Sequence, residues 1–137
     1  MDFKDINQKI IVQTSLFGVF MGIFSVLGWS QNSQPFIWLL TAAITSFYLY
    51  KNLKNRIFVH CIIIGLSWGF DCALVMVLFF KTYHLNNPLL VNEILNISSS
   101  YPKTILITLG LLAGVFSGIL IYIPIYILKK LNNNNFF

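Results

Sequence analysis

Four apolar runs, residues 10–29, 36–50, 57–80 and 104–128, contain no Lys, Arg or Glu and only one Asp. A helix needs roughly 20 mainly apolar residues to cross a hydrocarbon layer about 30 Å thick. Backbone inside lipid must also satisfy its own hydrogen bonds, which a helix does. The expected fold is therefore all-α: an integral membrane four-helix bundle, with residues 1–137 forming a single transmembrane domain. Composition agrees, since 57% of the residues are hydrophobic and 9% are charged, against about 25% charged in average globular chains. A disordered chain would be poor in apolar residues, and two cysteines are too few for a disulfide-stapled secreted scaffold.

Polar punctuation separates the runs. Lys9 precedes the first, and Ser30-Gln31-Asn32-Ser33-Gln34 follows it. Pro35 suits the first turn of the second helix, where its missing N–H costs nothing. That second run is short, about 22 Å at 1.5 Å per residue, and depends on its flanks or on local bilayer thinning to cross. The fourth run stops at Lys129-Lys130, and Pro124 inside it frees the Leu120 carbonyl, so a kink is expected there. The first run is longer than a signal-peptide core and no small-residue cleavage pattern follows it, so it reads as a permanent span.

Orientation follows from the nine Lys and Arg, because cytoplasmic flanks collect positive charge. Lys4, Lys9, Lys51, Lys54, Arg56, Lys129 and Lys130 fall on one side, and only Lys81 and Lys103 on the other. Both termini are expected in the cytoplasm. The formal charge of +5 is accounted for by this topology, and no soluble basic surface with base-reaching groups points to nucleic acid.

Helices in lipid associate where small residues let backbones approach. Gly18 and Gly22 on the first span, Gly65, Gly69 and Ala73 on the third, and Gly110, Gly114 and Gly118 on the fourth are each spaced by four residues and so form ridges. Ala42 and Ser46 offer a weaker pair on the second. The ridges fit a tightly packed monomer; alternatively, the three-glycine ridge of the fourth span faces a neighbouring subunit.

Asp71 is the only acid inside a span, at a cost of about 2.5–3.5 kcal/mol on insertion scales. Ser67 lies one turn before it and His60 about three turns before it, so the three share a face and form a candidate intramembrane polar site. Gly69 and Ala73 point to the opposite side, about 160° away. With no Lys or Arg in any span, the expected partners are hydroxyls, among them Ser25, Thr41, Thr45, Thr108 and Ser117, or backbone, water or a second chain. Asp71 pins helices together in one reading and lines a proton or cation path in the other. His60 and Asp71 are about 16 Å apart along the axis, too far for a metal or catalytic pair. His84 has no second ligand nearby. Cys61 and Cys72 are separated in the same way and read as packing residues.

The segment from Lys81 to Lys103 is the only sizeable loop. Asn87-Pro88 signals a helix start, and Leu90, Ile94 and Ile97 recur at helical spacing, so a short amphipathic helix is expected on the outer surface. Residues 132–135, all Asn, read as a disordered extension.

The run Gly65-Leu66-Ser67-Trp68-Gly69-Phe70-Asp71, with the exit Phe79-Phe80-Lys81-Thr82-Tyr83-His84-Leu85-Asn86-Asn87-Pro88, resembles uncharacterised small four-span bacterial inner-membrane proteins. The resemblance implies an inner-membrane location and carries over no activity. Beyond Asp71 the acids are Asp2, Asp5 and Glu93, with no paired carboxylates, no nucleophile beside a base, no metal-ligand cluster and no phosphate-binding glycine loop. The expectation is a non-enzymatic protein without cofactors. It is a structural, accessory or self-assembling membrane component whose partners are the lipid bilayer and either its own copies or another membrane protein. The alternative is an oligomeric channel or a proton- or cation-coupled transporter using Asp71.

Overall fold

The computed structural model describes residues 7–29 and 33–134. Asp2, Lys4, Asp5, residues 30–32 and Asn135, all used in the sequence argument, lie outside it. Every regular element among the described residues is helical: α1 (Gln8–Val26), α2 (Gln34–Asn52), α3 (Ile57–Leu78), α4 (Phe80–Asn86), α5 (Pro88–Ile97) and α6 (Pro102–Asn134). Of these, α1, α3 and α6 are long and apolar enough to cross a membrane. The remaining long helix, α2, matches α1 in length but carries Gln34 at one end and Lys51 and Asn52 at the other.

α3 is the hub. It packs most extensively on α6 and next on α1, while α2 packs on α6. Small residues explain the choice of partners. Gly65 and Gly69 abut the backbone at Gly114 and Gly110, so that a Cβ on Gly69 would collide with the Gly110 carbonyl. One on Gly114 would come 2.6 Å from the Gly65 carbonyl, and one on Gly118 would come 2.8 Å from that of Cys61. On the adjoining face, Gly18 admits the backbone of Trp68 and Gly22 that of Cys72, where added Cβ atoms would stand 2.6 and 3.0 Å from the respective carbonyls. The three-glycine ridge of α6, a candidate for contact between subunits, thus faces α3 of its own chain. The Ala42/Ser46 pair also makes a close approach: Ser46 Oγ lies 2.7 Å from the Ile121 carbonyl and 2.6 Å from that of Ala42.

These contacts fix the helix directions. Gly69 meets Gly110 and Cys61 meets Gly118, so α6 runs antiparallel to α3. Asn7, at the start of α1, bonds His60 near the start of α3, so those two run parallel.

Helix ends differ from the expected span limits for local reasons. α1 stops at Val26 rather than Trp29 because Gly28 takes φ +73°. Gly28 N–H donates to Ser25 and Trp29 N–H to Phe24, both at 3.1 Å, and the Phe24 and Trp29 rings meet at 5.8 Å. This is a Schellman end closed by its apolar contact. α3 breaks at Phe79 (φ −106°, ψ 35°) and resumes as α4. α6 passes through Pro124 and continues to Asn134, which corrects the expected disorder from Asn132: extending a formed helix costs little per residue.

α5 forms where Asn87-Pro88 placed it, yet the Asn87 side chain makes no cap bond. Its amide donates instead to the Ser25 carbonyl at 2.8 Å and to the Tyr83 carbonyl at 3.1 Å, tying the α4–α5 junction to the end of α1. The buried face of α5 is Val91 and Ile94, packed with Val26, Tyr83 and Leu106, while Leu90 and Ile97 are exposed.

Candidate functional site

The structure sets His60 apart in burial from Ser67 and Asp71, the other two residues of the expected polar face. His60 is fully buried at the start of α3. Its Nε2 lies 3.0 Å from the Asn7 N–H and its Nδ1 lies 3.0 Å from the Arg56 carbonyl. A backbone N–H can only donate, so Nε2 accepts and the ring proton sits on Nδ1. Asn7 in turn caps α1 through Oδ1, which accepts from Ile10 at 3.3 Å. His60 is therefore a clasp between α1 and α3, with both nitrogens in use. Arg56, whose carbonyl it holds, takes a left-handed φ of 51°.

Asp71 and Ser67 are half-buried on α3. On this flank Phe70, Leu74 and Leu78 are all exposed, while Gly69 and Ala73 on the other side carry α6. No described residue hydrogen-bonds Asp71, and two of the expected partners are bonded within their own helix. Thr108 Oγ1 donates to Thr104 at 3.0 Å and Ser117 Oγ to Ala113 at 2.7 Å. Thr45 is buried on α2 and Ser25 at the α1–α4 junction. Asp71 thus sits at the rim of the packed helices with an outward face.

Trp68, three residues earlier, has the opposite environment. It is fully buried, its Nε1 donates to the Thr14 carbonyl at 2.7 Å, and its ring meets Phe17 at 4.7 Å and Trp38 at 5.7 Å. Sequence reasoning passed over it, although its place one residue from the glycine ridge put it on the crowded side of α3.

Two concavities stand out among the described residues. The larger, about 700 Å³, lies between α2, α3, α5 and α6, with Trp38, Ala42, Met76, Leu106 and Phe116 among its walls. Among the described residues Glu93 is its only carboxylate, and no Lys, Arg or His lines it. Burial raises the phenol pKa of Tyr83, which also lines it. Asp71 is not part of it. The smaller, about 250 Å³, lies between the α2–α3 turn and the end of α6, bounded by Lys54, Arg56, Phe58, Tyr122, Tyr126 and Lys129. Among the described residues no three His, Cys, Asp or Glu side chains gather as a metal site requires.

Comparison with protein-family models, with curated proteins and with solved structures finds no match.

Proposed function

We propose that the chain is a non-enzymatic multi-pass membrane protein that works as an accessory component, docking a helix of another membrane protein against the Asp71 flank of α3. In this reading α2 is a fourth span and completes a four-helix membrane bundle, the membrane is a bacterial inner membrane, and both termini are cytoplasmic. The gathering of Lys54, Arg56 and Lys129 around one concavity supports that orientation, because it puts cations of the α2–α3 turn and of the α6 end on the same side.

One observation carries the proposal. The glycine ridges are occupied within the chain, whereas Asp71 lies half-buried on an apolar flank with no described hydrogen-bond partner. A carboxyl group in hydrocarbon is costly without a partner, and the spans contain no cation to supply one. A Lys or Arg at matching depth on a second helix would satisfy it, and desolvation would strengthen the pairing. Neither of the two concavities described includes Asp71, so a transport path using it would have to run between chains.

The test uses a labelled single-span polyleucine peptide carrying one Lys at the depth of Asp71, reconstituted with the protein in lipid vesicles. Saturable energy transfer to this peptide, absent for the all-leucine control and lost in Asp71→Asn, supports the docking role. Equal transfer to both peptides contradicts it.

A further inference from the structure

We propose that the smaller concavity is a binding site for the phosphate-bearing headgroup of an anionic phospholipid. Its cations come from two places far apart in sequence. Lys54 and Arg56 belong to the turn between α2 and α3, whereas Lys129 lies near the end of α6, and all three border the same space of about 250 Å³. Among the described residues no Asp or Glu lines it. The remaining walls are apolar or aromatic: Ile57 and Ile125 are buried beneath it, and the Phe58 and Tyr122 rings pack edge to face at 5.0 Å.

Size and depth narrow the ligand. The space equals about eight water molecules at about 30 Å³ each, enough for a phosphate with a small polar substituent and too small for an acyl chain as well. Tyr122 and Tyr126 place it at the level where amphipathic rings meet the headgroups, so the chains of a bound lipid would run along the apolar surface of α6, where Ile119 and Ile123 are exposed. Topogenic charge alone does not require this convergence. Lys51, at the end of α2, lies over the Phe47 ring at 4.4 Å, and Lys130 lies outside the concavity. Basic pockets between membrane helices are established sites for anionic headgroups. The backbone of Arg56 is held in the left-handed region (φ 51°) beside the His60 clasp, so the turn that presents two of the cations is anchored to the buried start of α3.

The test is native mass spectrometry of the full chain in nanodiscs of phosphatidylcholine doped with phosphatidylglycerol, counting retained lipids and titrating their dissociation. One phosphatidylglycerol per chain is expected to be retained, with affinity falling about fivefold in Lys54→Gln and in Lys129→Gln, the loss corresponding to one headgroup cation. Lys130→Gln, which removes the same charge one residue away, should leave it unchanged. An equal loss in Lys130→Gln, or equal retention of phosphatidylcholine, overturns the site. A further arm adds inorganic phosphate to pure phosphatidylcholine discs. No protection of the fold against thermal unfolding is expected, and saturable protection that is lost in Lys129→Gln would make the ligand a soluble anion and overturn the lipid assignment.

Discussion

The indole of Trp68 donates to the Thr14 carbonyl at 2.7 Å, while the backbone of the same residue fills the notch left by Gly18. One residue therefore supplies both the polar and the close-packed part of the α1–α3 contact. Trp68→Phe removes the donor and part of a fully buried ring, and is expected to cost about 2–3 kcal/mol, of which about 1 kcal/mol is the hydrogen bond. Reversible unfolding in mixed micelles measures it. A loss below about 0.5 kcal/mol would place the strength of this contact elsewhere.

Gly69 and Gly110 allow no side chain on either helix, because the obstructing atoms are backbone or a Cβ and have no rotamer to change. Gly69→Ala and Gly110→Ala are each expected to destabilise by about 1–3 kcal/mol through overpacking. The double variant should cost less than the sum, since the first substitution already separates the helices. The same unfolding assay reads this coupling, and strict additivity would speak against a shared contact.

His60→Ala leaves the Asn7 N–H and the Arg56 carbonyl without their imidazole partner. The expected loss is about 1 kcal/mol, concentrated in the first turn of α1. Hydrogen exchange should therefore accelerate at the start of α1 and not at the α3–α6 contact. Uniform acceleration along the chain would assign His60 a global role instead.

Asn87 faces two carbonyls, those of Ser25 and Tyr83, so it must donate. Asn87→Asp places an acceptor-only carboxylate there at neutral pH and is expected to be worse than Asn87→Ala, whose cost is about 1–3 kcal/mol. Both should loosen α5, detected as faster exchange at Val91 and Ile94. Equal tolerance of Asp and Ala would refute the donor role.

Much of the architecture was legible in the sequence, for reasons that differ by element. The ridges at Gly65/Gly69 and Gly110/Gly114/Gly118 could be read because spacing by four places residues on one face whatever the partner. Which ridge meets which is a long-range choice that spacing does not encode, so the α6 ridge remained open between its own chain and a neighbour. The end of α1 was misplaced because hydrophobicity continues through Leu27 and Trp29, while the Gly28 conformation ends the helix. For Asn87, the local cap pattern concealed a bond to Ser25, 62 residues away. His60 and Asp71 share a helical face in the sequence, but periodicity carries no depth: one is buried under Asn7 and the other stands at the rim.

The most direct test of the docking account is the mass of the complex extracted from its native membrane into lipid nanodiscs, with every co-purifying chain identified, for the wild type and for Asp71→Leu. The account predicts a complex of this chain with a second polypeptide that carries a Lys or Arg within a membrane span, dissociating in Asp71→Leu while the fold of this chain persists. A homo-oligomer of unchanged mass in Asp71→Leu would contradict it.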